Sequence, residues 1–384
     1  MKLSVPLEFA PIYQIDGQLD RLLKNIELLA YLNPNNIEQE KKRFFGSKYT
    51  VEPEFTYTRL KFDAFKTQRR LFSFRLEEIE DEVIRSLFED LLYHYSGMVQ
   101  CIDTIGKGDK FYYNSLKTFG TPTDKDVQNA QFILHFKDVV DDNSIKKFSA
   151  NQAAEYFAEF SKNYQFDYKI VQSTRLASDA MVKNSTKELL IKKNGKFSAN
   201  QLKILAHHEI GVHLLTSFNA AAQPLKIFSN GFPKNVETQE GLAVYSEYMS
   251  GALTLKRLKT LAYRVIAVDS LRRGCSFIET FKQLHLDYNL NRDDAFTTVM
   301  RVHRGGGFTK DYLYLTGLKK IYNHHKEGNS LDDLLTGKVT LKYKKTIQKM
   351  EGLGLAVKPV HHNIAYTTND NTNDKIDFIL NNLR

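Results

Sequence analysis

Ser198-Ala199-Asn200-Gln201-Leu202-Lys203-Ile204-Leu205-Ala206-His207-His208-Glu209-Ile210-Gly211-Val212-His213 carries the residues around which the fold has to be built. Ser198 with Gln201 three residues on fits a capping box, in which a hydroxyl and a side-chain amide satisfy backbone donors at a helix start. Leu202, Leu205 and Ala206 continue at helical spacing into the histidines. Two histidines flanking a glutamate on one helix point to a zinc site with an adjacent general base. The familiar arrangement places the histidines at i and i+4, about 40° apart around a helix of about 3.6 residues per turn. His208 and His213 stand instead at i and i+5, about 140° apart on regular α geometry. Gly211 lies between them, and a local π-type turn with i to i+5 bonding would realign the two imidazoles. A distorted turn at Gly211 is therefore predicted.

Two histidines need a third protein ligand and an open position for water. The best candidate segment is Thr238-Gln239-Glu240-Gly241-Leu242-Ala243, read as the start of the next helix. Glu247, two turns later, is an alternative ligand or a residue that orients a histidine. Glu237 is the weaker choice because it is read as preceding the helix.

Outward from this segment, three short β-prone runs, Tyr168–Val171, Ala180–Val182 and Leu189–Ile191, predict a small sheet. The last of them is expected to offer an edge to an extended peptide. A second Ser-Ala-Asn-Gln tetrad at Ser149–Gln152 predicts another capped helix. The N-terminal third reads as helical: one long amphipathic helix over about 65–105 ended by the Gly106–Asp109 turn, a shorter one over Leu19–Leu32 stopped by Asn33-Pro34, and a third from Thr123. From Glu240 onward the pattern is again helical, interrupted by Gly305-Gly306-Gly307, Gly352, Gly354 and Pro359.

Composition bounds the function classes. The chain has 384 residues, 42% of them hydrophobic, which suits a globular protein. Its 54 Lys+Arg against 45 Asp+Glu give a net charge of +9, which favours an anionic partner. Two cysteines, Cys101 and Cys275, make no disulfide framework and no thiolate zinc site, so a cytoplasmic setting is expected. Pro6, Glu8 and Pro11 interrupt any apolar leader, and no stretch is long and apolar enough to span a membrane. Gly106-Lys107-Gly108 and Gly337-Lys338-Val339 lack the full phosphate-loop spacing, which excludes nucleotide hydrolysis on that pattern. Lys342, Lys344, Lys345 and Lys349 form the best basic cluster, but such a run is more often a solvated face, and nucleic acid is not the expected partner.

The segments His208–His213 and Gln239-Glu240-Gly241-Leu242-Ala243 resemble the QEGLA-motif protein family, which includes the microtubule-associated tyrosine carboxypeptidases. The resemblance continues through Asn219, Gln223-Pro224 and Arg304-Gly305 to Phe308-Thr309-Lys310-Asp311 and Tyr314-Leu315. It implies an HExxxH zinc metallopeptidase with His208, His213 and Glu240 as ligands to Zn2+ and Glu209 as general base for water attack. A carboxypeptidase also needs a cation for the terminal carboxylate of a peptide or protein tail, an acidic tail being one form of it. Arg304 and Lys310 are the expected contacts, and Tyr314 the expected hydrogen-bond donor to the oxyanion. The Gly305–Phe308 loop reads as short and the chain as departing from the eukaryotic carboxypeptidases in their long terminal extensions, so tubulin specificity is not among the expectations.

The chain is thus read as α+β: a mainly helical metallopeptidase with a small β-sheet before the active-site helix. Residues 1–145 form an N-terminal helical region, and 146–384 a zinc metallopeptidase catalytic region packed with it as one unit. The alternative is a non-enzymatic regulatory or nucleic-acid-binding protein that uses its basic surface.

Overall fold

Asp81 divides what the periodicity presents as one long helix. In the computed structural model, which describes residues 7–24, 26–137, 145–174, 176, 178–184 and 186–384, the stretch forms a helix Ala64–Leu71 and a second, Glu82–Asp103. The Asp81 carboxylate accepts hydrogen bonds from the Val83 and Ile84 amides at 3.0 and 3.1 Å, the mark of a helix start. Periodicity runs across the break because Leu71 at its start and Ile79 within it are both buried. Residues 1–6, part of the stretch read as an interrupted leader, lie outside the described residues. Among the described residues no helix is long and apolar enough to cross a membrane.

The chain divides into two compact units, Met1–Phe136 with Lys259–Leu315 and Arg384, and Lys137–Leu258 with Thr316–Leu383. The first is helical. Its opening helices are Ala10–Leu23 and Leu28–Leu32, two where one was expected, and the second stops at Asn33 as the following proline requires. Thr123 and Asp126 make a reciprocal capping box for the helix Asp124–His135. Phe44 is fully buried, its ring centroid 5.2, 4.9 and 5.7 Å from those of Phe277, Phe281 and Phe296. This aromatic cluster joins the N-terminal part of the chain to the Lys259–Leu315 part within the unit. Gly306 has φ +112°, and a Cβ there would stand 2.7 Å from the Gly108 carbonyl oxygen. The two glycine-rich segments therefore meet backbone to backbone, which gives the Gly106-Lys107-Gly108 turn a packing role.

The second unit holds the sheets. Strand β1, Phe148–Ser149, pairs antiparallel with β5, Lys196–Phe197. Strands β2, Lys169–Ser173, β3, Ala180–Lys183, and β4, Glu188–Lys192, form a sheet of order β2-β4-β3. β4 is parallel to β2 and antiparallel to β3. The expectation that the Leu189–Ile191 run is an edge is thus corrected: β4 is central, and its backbone is engaged by β2 on one side and β3 on the other. A strand's own residues do not encode its neighbours, so the alternation that predicts a strand does not rank it as edge or centre. Leu189 and Ile191 are fully buried beneath it, as a period of two requires.

Ser149 and Gln152 cap the helix Ala150–Ser161 reciprocally. Ser198 likewise accepts from the Gln201 amide, but the Gln201 side chain donates to Asp179 instead, so the second tetrad is only half a box. The helix Asn235–Met249 is buried on nearly every side, including Leu242, Ala243 and Val244, as a helix surrounded by its own unit must be. The fold is α+β and mainly helical, with the small sheet preceding the histidine-bearing helix.

Candidate active site

The histidine segment departs from α geometry where the sequence predicts it. Ala199–Leu205 is α-helical, Ala206–Leu214 is a π-helix, and Leu215–Ala222 returns to the α form. The Leu215 amide reaches back to the Ile210 carbonyl, five residues earlier. With the turn widened, the imidazoles of His208 and His213 stand 4.9 Å apart between ring centroids. Glu240, in the second turn of the Asn235–Met249 helix, closes the group: its Oε2 lies 3.5 Å from His208 Nε2 and 3.6 Å from His213 Nε2. Glu237 is in the first turn of that helix, not before it, and pairs with Lys320 at 2.7 Å.

His208, His213 and Glu240 form a group that could hold a metal ion, with all three ligand atoms within 4.8 Å of one another. Two imidazoles and a carboxylate are a donor set suited to zinc, whose tetrahedral ligands at ~2.0–2.1 Å stand about 3.3 Å apart. The separations to Glu240 are close to that value. Electrostatics agree with a cation site. Burial opposes protonation of His208, yet its hydrogen bonds to Glu240 and Glu247 and the charges of Glu247 and Glu209 push it up to about 9.

Glu247 is fully buried and sits 2.8 Å from His208 Nδ1. Arg257 grips the same carboxylate with Nε and Nη2, both at 2.9 Å. Burial opposes ionisation of Glu247, but Arg257 and His208 hold it below the usual carboxylate range. With Nδ1–H donated to the Glu247 carboxylate, a His208 ring that gave up its other proton to a metal would carry the lone pair on Nε2, the atom that faces Glu240. Glu247 is thus the orienting residue of the two alternatives read from sequence. Its partner Arg257 lies on another helix and gives no local signal.

The neighbouring His207 is different in kind. Its ring packs edge-on against Phe160 at 4.9 Å, its Nδ1 has no hydrogen-bond partner among the described residues, and burial, helped by Lys203, lowers it to about 4. It is a neutral packing residue. Glu209 is partly exposed, and its Oε2 accepts a hydrogen bond from the Val182 amide of β3 at 3.1 Å. The Val182 amide of β3 therefore fixes the Glu209 carboxylate, the neighbour in sequence of His208 in the group that could hold a metal.

Asn219 and Gln223 turn out to be braces. Buried Asn219 accepts from the Val360 and His361 amides at 3.1 and 2.8 Å and donates to the Leu335 and His361 carbonyls at 2.8 Å. Gln223 exchanges both of its amide bonds with Val357 at 2.9 Å.

Arg304, Lys310 and Tyr314 belong to the first unit. Arg304 is 4% exposed, donates to Asn33 Oδ1 at 2.6 Å and to the Arg301 carbonyl at 3.2 Å, and lies over the Phe308 ring. Burial and the charge of Arg301 lower it to about 10. The ammonium of Lys310 and the guanidinium of Arg264 lie 5.7 and 4.7 Å from the centre of the Tyr314 ring. Asp311 binds Arg301 through both oxygens, at 2.5 and 2.9 Å.

The chain is 24% identical to microtubule-associated tyrosine carboxypeptidase 1 of Homo sapiens over 318 residues, 78% of this chain and 57% of that protein. The Mus musculus protein of the same name gives 24% over 315 residues, 77% of this chain and 57% of the relative. The chain thus spans little more than half the length of these relatives. The family model for the microtubule-associated tyrosine carboxypeptidases matches residues 42–384, nearly the whole chain, and the chain belongs to that family.

Proposed function

We propose that the chain is a zinc-dependent metallopeptidase that removes a C-terminal residue from a peptide or protein tail. The observation that carries the reading is the convergence of His208, His213 and Glu240 on one point through a π-turn. Membership of a family named for tyrosine carboxypeptidase activity supports the reaction class and makes a C-terminal tyrosine the first substrate to try. A bound Zn2+ would supply a Lewis acid for the scissile carbonyl and for water.

The chain's own groups do the rest. Glu209, held by the Val182 amide, takes a proton from the attacking water and passes it to the leaving amine. Glu247, itself held by Arg257, keeps His208 in the tautomer whose Nε2 faces Glu240. Both cysteines are free thiols, which suits work in a reducing cytoplasm.

The test is a set of peptides differing only in the last residue, followed by mass spectrometry, with Glu209→Gln beside the parent. The parent is expected to shorten at least one peptide by a single residue. Glu209→Gln should keep its metal and lose about 10²–10⁴-fold in rate. Equal cleavage by the two proteins would remove Glu209 from the role of base.

A further inference from the structure

Asn363 lies 152 residues beyond Gly211, yet its side chain reaches the centre of the π-turn. Its Nδ2 donates to the Gly211 carbonyl at 2.7 Å and to Ser246 Oγ at 3.0 Å. Its Oδ1 accepts from the Ala365 amide at 2.9 Å and from Ser246 Oγ at 3.3 Å. A carbonyl on one side and an amide N–H on the other admit only one orientation of the side-chain amide. Asn363 is 1% exposed, so these bonds have no competition from solvent.

The partners explain why this matters. Gly211 belongs to the turn that separates His208 from His213, and Ser246 to the helix that carries Glu240 and Glu247. One side chain therefore ties the two ligand-bearing helices together. Gly211 leaves the space for it: a Cβ there would lie 3.2 Å from Tyr164 Oη, 3.3 Å from Asn363 Nδ2 and 3.6 Å from Ser246 Oγ. A π-turn is a rare interruption of an α-helix, found frequently at functional sites, and the Asn363 bond to the Gly211 carbonyl is a contact from outside the helix that can hold it. Relaxation to the α form would turn the Gly211 carbonyl and swing the histidines about 140° apart.

We infer that Asn363 is a positioning residue that holds the π-turn open and so sets the register in which His208 and His213 converge. The inference rests on the metal-site reading above. Asn363→Asp separates the two jobs of the side chain, since a carboxylate still accepts from Ala365 and caps the Ile364–Thr368 helix but cannot donate to Gly211.

The experiment titrates Co2+ into the metal-stripped full chain and records its visible absorption. The parent is expected to bind one Co2+ with the intense bands of a four-coordinate site. Asn363→Asp is expected to bind about 10-fold more weakly and with shifted bands. Ser246→Ala, which removes only the hydroxyl that steadies the same amide, serves if the first variant does not fold and should change affinity and bands in the same direction. Affinity and spectrum identical to the parent's, in whichever variant folds, would overturn the inference. Failure of the parent itself to bind Co2+ would instead overturn the metal-site reading beneath it.

Discussion

Three adjacent residues, His207, His208 and Glu209, have three different occupations, and environment assigns them. His207 is lowered to about 4 by burial against Phe160, while carboxylates push His208 up to about 9. The sequence puts all three on one helix; it does not tell a candidate ligand from its packed neighbour, because that depends on what the opposite helix presents. Glu247 was legible as a candidate because it lies two turns from Glu240 on the same helix. Arg257 and Asn363 were not, since their contacts depend on tertiary approach. Glu247→Ala should weaken metal binding by about 10–100-fold by freeing the His208 ring. It should also lower stability by about 1–3 kcal/mol by removing the carboxylate that the partly buried Arg257 grips. Metal titration and urea unfolding check the two effects separately.

At the scale of elements, the π-turn was the most legible feature, since an i,i+5 pair around a glycine is incompatible with one metal on a straight α-helix. The three strands were legible from alternation, but their order was not, because pairing is decided between strands. The glycine of Gln239-Glu240-Gly241 has a role that spacing cannot reveal. Gly241 faces Gly317, and a Cβ on Gly241 would stand 2.5 Å from the Gly317 carbonyl carbon and oxygen. Gly317 lies on the helix Leu313–Lys326, so two helix backbones touch beside Glu240. Gly241→Ala should therefore force the helices apart, lowering stability by about 1–3 kcal/mol or more and displacing Glu240. Thermal unfolding with and without metal measures it: a variant as stable as the parent in both states would show that the contact is not tight.

At the scale of the whole molecule, the motif residues serve two ends. In the second unit His208, His213 and Glu240 form the group that could hold a metal ion and Asn219 and Gln223 brace the chain, while Thr309, Asp311 and Arg304 knit the first unit together. Thr309 bonds to Ser115, and Asp311 to Arg301. Burial alone would raise the Asp311 carboxyl, but Arg301 and Arg264 hold it well below the usual carboxylate range. In the unfolded chain the same group titrates near ~3.9, so its contribution is complete above that pH and is lost as pH falls below it. The stability advantage of the parent over Asp311→Asn, from urea unfolding, should hold between about pH 5 and 7 and shrink below about pH 4. The central proposal is that the π-turn lets His208, His213 and Glu240 hold one zinc ion. Elemental analysis of the full chain purified without chelator, beside His213→Ala, tests that most directly. One zinc per parent chain and little in the variant is the expected result, whereas a parent without zinc that also fails to take it up would contradict the account.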